Sequence, residues 1–147
     1  MDKWGAVLLT VLAGSLVAMQ APINSMLGKS VGTFAAASLS FGIGLTVLIG
    51  ITLVAGNGFG DLGEAGDLKW YYLTGGVLGA IYVTSVLVSV RTLGAGGVTA
   101  ATIAGQLTMS VAIDRSGMLG LDERALTPQR LVGILLLAAG TFLIVRE

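Results

Sequence analysis

Runs of apolar residues recur along the chain, each near the length of a membrane span and each ended by a short polar or glycine-rich stretch. Stretches free of charge, or nearly so, fall at Trp4 to Leu27, Thr33 to Ala55, Trp70 to Val90, Gly97 to Ile113 and Gln129 to Val145. About 20 helical residues cross about 30 Å of hydrocarbon, so the pattern predicts five transmembrane helices in a single domain, residues 1–147. The fourth and fifth stretches are the shortest, and four spans plus a re-entrant segment is the alternative. The fourth is the doubtful one. Its residues Val98 to Gln106 are small and hydroxylated, which suits a helix packed on others better than one facing lipid.

The connections are short. Gly28 to Gly32 reads as a tight turn, Gly56 to Lys69 as a glycine-rich acidic loop, and Arg91 to Gly96 as another turn. The longest linker, Asp114 to Pro128, ends in Thr127-Pro128, where threonine can cap and proline can open the fifth helix. Trp4 and Trp70-Tyr71-Tyr72 begin odd-numbered spans, which puts these aromatics on one membrane face.

One stretch interrupts the first span. Gln20-Ala21-Pro22-Ile23-Asn24 sets two carboxamides and a proline in an otherwise apolar run. Proline has no amide hydrogen and its ring crowds the carbonyl four residues back, so Pro22 predicts a helix kink or an irregular turn. Backbone oxygens freed in hydrocarbon are tolerated only against protein or a wet cavity, and Gln20 and Asn24 face the same side. The stretch should point inward, either as a packing kink with interhelical hydrogen bonds or as part of a substrate pathway.

Composition narrows the chemistry. Of 147 residues, 54% are hydrophobic and 11% charged, against about a quarter charged in soluble domains, so this is an integral membrane protein. The chain has no cysteine and no histidine, which removes disulfides, thiolate chemistry and the usual transition-metal ligands; neither a metal, a cofactor nor an enzymatic activity is expected. No cleavable signal pattern stands at the start, and the first helix should stay attached. With five spans, Lys3, Lys69, Arg115, Arg124 and Arg130 lie on one side and Lys29, Arg91 and Arg146 on the other. This weak bias tilts the amino terminus towards the cytoplasm and leaves insertion in both orientations open.

No Asp, Glu, Lys or Arg stands mid-span, so a proton or ion pathway has no evident carrier. The nearest acid, Asp114, ends the fourth span beside Arg115 and reads as an interfacial ion pair. Thr99, Thr102, Gln106 and Ser110 share one face of the fourth span, and Tyr71, Tyr82, Ser85 and Ser89 share a stripe on the third. Together, Gln20, Asn24, Tyr82, Ser85, Thr102 and Gln106 are the candidate substrate-binding residues, lining a cavity that binds by hydrogen bonds and aromatic contact. The alternative for each Ser and Thr is a bond to its own helix's carbonyl. Small-residue pairs at Gly14/Ala18, Ala36/Ser40/Gly44, Gly75/Gly79 and Ala101/Gly105 would let the helices approach closely.

Several of these pieces form a combination: Gln20-Ala-Pro-Ile-Asn24, Ser40-Phe41 with Gly42 and Gly44, Gly75-Gly76-Val-Leu-Gly79-Ala80, Gly105-Gln106, Arg130-Leu-Val-Gly133 and Ala139-Gly140. Over nearly its whole length the chain resembles the YdcZ family of bacterial inner-membrane proteins, within the drug/metabolite transporter superfamily. The last helix with its Glu123-Arg124 lead-in also looks like the end of an EamA-type repeat. The resemblance implies an all-α, five-helix half-transporter, multi-pass in the bacterial inner membrane, and half of an antiparallel ten-helix inverted-repeat assembly. The small multidrug resistance transporters of that superfamily carry a membrane-embedded glutamate in the first helix; this chain has none there, which argues against cationic-drug/proton antiport.

The expected function is secondary transport of a small organic solute or metabolite by alternating access. One chain has an odd span count and no internal duplication, so the expected partner is a second, oppositely oriented copy or a paralogous subunit. A non-transporting membrane subunit or assembly factor is the alternative. A simple channel is disfavoured, since no charged ring or filter-like run appears.

Overall fold

The computed structural model describes residues 2–55, 58–60, 63, 66, 69–117 and 122–146, and among these no strand occurs. Among the described residues four helices are long and apolar enough to cross a membrane. Helix α1 is Lys3–Val31, α2 is Thr33–Ala55, α3 is Gly75–Ser116 and α4 is Pro128–Val145, with a 3₁₀ turn, Trp70–Thr74, leading into α3. The expected third and fourth spans both lie on α3, which leaves helical geometry at Gly94 (φ 67°, ψ 173°), inside the stretch expected to turn. Such angles are open essentially to glycine alone. Most of the loop expected over Gly56 to Lys69, and residues 118–121 of the last linker, lie outside the described residues.

Local chemistry sets the helix ends. The Asp2 carboxylate accepts from the Gly5 amide at 3.1 Å and starts α1. At the other end Gly32, with φ 88°, donates its N–H to the Gly28 carbonyl, so a single residue turns the chain from α1 into α2. Thr127 caps α4 by accepting from the Arg130 amide at 3.3 Å, with Pro128 as the first helical residue, as the Thr-Pro pair foretold. Helix α1 runs through Pro22 as helix on both sides, so no irregular turn forms there.

The chain falls into two compact units, Met1–Arg91 and Thr92–Glu147. In the first, α1, α2 and the start of α3 meet around Ala36, Ala37, Val83 and Leu87, with Leu27 and Tyr82 packed against them. Small residues make that approach possible. Ala36 is fully buried, and a Cβ added to Gly28 would stand 3.0 Å from Arg91 Nη2. The Arg91 guanidinium lies over the end of α1 and donates to Thr33 Oγ1 at 3.1 Å, where a cation meets the negative end of the α1 dipole. A Cβ on Gly79 would touch the Phe41 ring at 3.6 Å, so one member of the Gly75/Gly79 pair does serve close approach.

The second unit is a helical hairpin made from α3 beyond Gly94 and α4. Asp114 and Arg130 pair at 3.2 Å, each about a third exposed, and the Arg124 amide donates to the Asp114 carbonyl at 2.7 Å. Asp114 thus finds its ion-pair partner in Arg130 and not in the adjacent Arg115. The Thr141 hydroxyl donates to the Ala100 carbonyl at 3.1 Å and ties α4 to α3.

Outside these contacts the helices are bare. Leu8, Leu12, Leu16, Leu45, Leu48, Leu136 and Phe142 are each more than half exposed. Such a surface is compatible with hydrocarbon or with further protein, not with water. Polar side chains on it are closed off locally: Thr10, Ser15, Thr46, Thr52 and Thr108 each donate to the carbonyl four residues back.

Candidate functional site

The inward polar face of α1 is where the first unit gathers its hydrogen-bonding groups. Asn24 is 5% exposed, and its Nδ2 donates to Ser40 Oγ on α2 at 3.1 Å. One helical turn earlier, Gln20 is exposed and lines a cavity of about 350 Å³ with Ser40, Phe41, Gly44, Leu45 and Leu48. That volume lies within the usual range of small-molecule sites, about 300–1,000 Å³. The cavity has a polar end, Gln20 and Ser40, and an apolar wall formed by Phe41 and the two leucines.

Tyr82 closes the other side of this face. It is half-buried and packs in a narrow crevice with Gln20, Ala21, Asn24 and Val86. Its hydroxyl has no partner among the described residues. Gln20, Asn24 and Tyr82 are therefore neighbours, as their inward-facing stripes suggested.

The remaining candidates behave differently. Ser85 donates to the Ile81 carbonyl at 2.8 Å and Thr102 to the Thr99 carbonyl at 3.0 Å, so each hydroxyl proton serves its own helix and only the oxygen remains to accept. Thr102 and Gln106 belong to the second unit, where Gln106 is exposed and has no side-chain hydrogen bond among the described residues.

Sequence reasoning missed Ser40 and Phe41 as site residues. Ser40 stood in the small-residue series Ala36/Ser40/Gly44, where it read only as a packing position. The available signal was that it is the one polar member of that series, opposite the carboxamides of α1.

Amide, hydroxyl and phenol groups line the site, and among the described residues no Asp, Glu, Lys or Arg does. No cluster of acidic residues fit to hold a metal occurs among the described residues. The chemistry these groups offer is hydrogen bonding and aromatic or aliphatic contact.

The family model described as "Putative inner membrane exporter, YdcZ" matches residues 5–143. The chain belongs to the YdcZ family. It is a multi-pass membrane protein of a family described as exporters, which makes it a membrane transporter at the level of class. No curated protein and no solved structure matches the chain.

Proposed function

We propose that this YdcZ-family chain is a secondary transporter of a small neutral organic solute, working by alternating access as an antiparallel pair of five-span copies. The observation that carries the reading is the uncharged cluster of Gln20, Asn24, Ser40 and Tyr82 beside the cavity of about 350 Å³. A solute bound there would set a donor or acceptor against Gln20 and Ser40 and an apolar body against Phe41 and Leu45. The family description favours outward movement.

Length supports five spans. A continuous α3 of 42 residues would reach about 63 Å, twice the hydrocarbon thickness, whereas the stretches before and after Gly94 each have the length of one span. An antiparallel pair is supported by the bare helix faces, by Gln20 and Gln106 exposed on them, and by the small bias of basic residues between the two ends. Lipid offers such carboxamides no partner, and a second copy does.

The test of function is untargeted mass spectrometry of the growth medium from cells overproducing the protein, compared with cells overproducing the Gln20→Leu form. A neutral organic solute should accumulate outside only with the unaltered protein. Identical media would overturn the reading and leave the non-transporting subunit. The pairing is tested separately: single cysteines near Lys3 and Arg146, in a chain without other thiols, should label from outside in comparable amounts. A single accessible terminus, with no oppositely oriented partner co-purifying, would rule the inverted pair out.

A further inference from the structure

A second cavity, about 480 Å³, lies in the hairpin of the second unit, well away in sequence from the cluster on α1. Its hollow comes from small side chains: Ala101 and Ala104 on α3 face Ala138 and Thr141 on α4. Phe142 and Val145 continue the wall towards the end of α4, and Arg146 stands at the mouth, its guanidinium 6.0 Å from the centre of the Phe142 ring.

Three features restrict the occupant. First, the hollow is apolar along its length. Thr141 is its only hydroxyl, and that proton is already donated to the Ala100 carbonyl at 3.1 Å, so no free donor faces inward. Water would find too few partners there, while an empty groove would forfeit dispersion contacts along both helices. Second, the groove is open on a helix pair of span length, so hydrocarbon is what surrounds it. Third, a guanidinium stands at the mouth. Among the described residues no carboxylate pairs with Arg146, and Asp114 is held by Arg130 at the opposite end of α4.

We propose that this groove binds one anionic phospholipid, an acyl chain lying along Ala101, Ala104 and Ala138 and the headgroup phosphate held by Arg146. Arginine suits the role because its planar fork donates two hydrogen bonds to phosphate oxygens. A zwitterionic lipid presents the same phosphate together with its own cation, which weakens the pairing. The site therefore selects for net headgroup charge. The inference is independent of the transported solute and of the cluster on α1.

The experiment uses a reporter tryptophan. The full chain carrying Trp4→Phe, Trp70→Phe and Phe142→Trp is reconstituted in phosphatidylcholine vesicles doped with phosphatidylglycerol or phosphatidylcholine brominated on the acyl chain. Brominated phosphatidylglycerol should quench the reporter at about one fifth the mole fraction needed by brominated phosphatidylcholine, the factor that one basic residue near an anionic headgroup supplies. Arg146→Gln should erase the preference and Arg146→Lys should retain most of it. Ala138→Leu, which fills the hollow, should reduce quenching by both lipids. Equal quenching by the two lipids, or a preference that survives Arg146→Gln, would overturn the proposal. So would weak quenching by either lipid combined with disulfide formation between copies bearing Ala138→Cys, which would make the occupant a second protein chain.

Discussion

Asn24 Nδ2 donates to Ser40 Oγ at 3.1 Å, and this bond ties the polar turn of α1 to α2. Asn24 is buried, and Ser40 is half-buried one turn along α2 from buried Ala36 and Ala37. A carboxamide in that position is held with one donor used, while Gln20, a turn away, remains exposed beside the cavity. On the proposed function the two carboxamides have separate roles: Asn24 holds the helices, and Gln20 meets the solute.

That separation predicts different outcomes for two similar substitutions. Asn24→Leu should lower stability by about 1 kcal/mol, the scale of an interhelical hydrogen bond in a membrane. Ser40→Ala in the same background should add little, because the bond is already lost. Gln20→Leu should leave the unfolding temperature in detergent unchanged and reduce solute flux about tenfold, the upper range for one hydrogen bond to a ligand. Equal thermal losses for Asn24→Leu and Gln20→Leu would contradict the assignment.

Much of the fold was legible in the sequence because bilayer thickness sets span length, and Gly32, Gly94 and Thr127-Pro128 each carry a local geometry that dictates a turn or a cap. The facing of the helices was not legible. In water an amphipathic stripe marks the buried side, but the few hydroxyls of α2 past its first turn, Ser38, Ser40, Thr46 and Thr52, fall on different sides of a largely apolar helix, so only the place of Ser40 among small residues set its edge apart. For the same reason Ser85 and Thr102 read as cavity-lining residues when their hydroxyls bond their own helix. Gln20, Asn24 and Tyr82 stood out because a carboxamide or a mid-span phenol in hydrocarbon needs a reason to be there.

The break in α3 predicts a sharp contrast between neighbouring glycines. Gly94 holds φ 67° and ψ 173°, so Gly94→Ala should destabilise the protein by about 1–3 kcal/mol through backbone strain. Gly96 is helical with open space where a Cβ would go, and Gly96→Ala should be neutral or slightly stabilising by helix propensity. Thermal unfolding of the two variants side by side checks this, and equal losses would contradict the geometry.

The Asp114–Arg130 pair should matter modestly and as a unit. Each partner is about a third exposed, so Asp114→Asn or Arg130→Gln should cost about 1 kcal/mol or less, with the double variant no worse than either single. Additive losses in this cycle would mean that the two side chains act separately.

A neutral site also fixes the response to solution conditions. No carboxylate, ammonium or guanidinium lines the cavity among the described residues, so solute affinity should change little with salt. An affinity that collapses at high salt would contradict the uncharged lining.

The most direct test of transport uses proteoliposomes in which this chain is the sole protein, loaded with the solute that cells overproducing it release. Efflux should be saturable, exceed that from protein-free vesicles, and fall about tenfold with Gln20→Leu at unchanged oligomer size. Efflux no faster than from protein-free vesicles, with the protein folded and correctly inserted, would contradict the account and make the chain a subunit of some other machine.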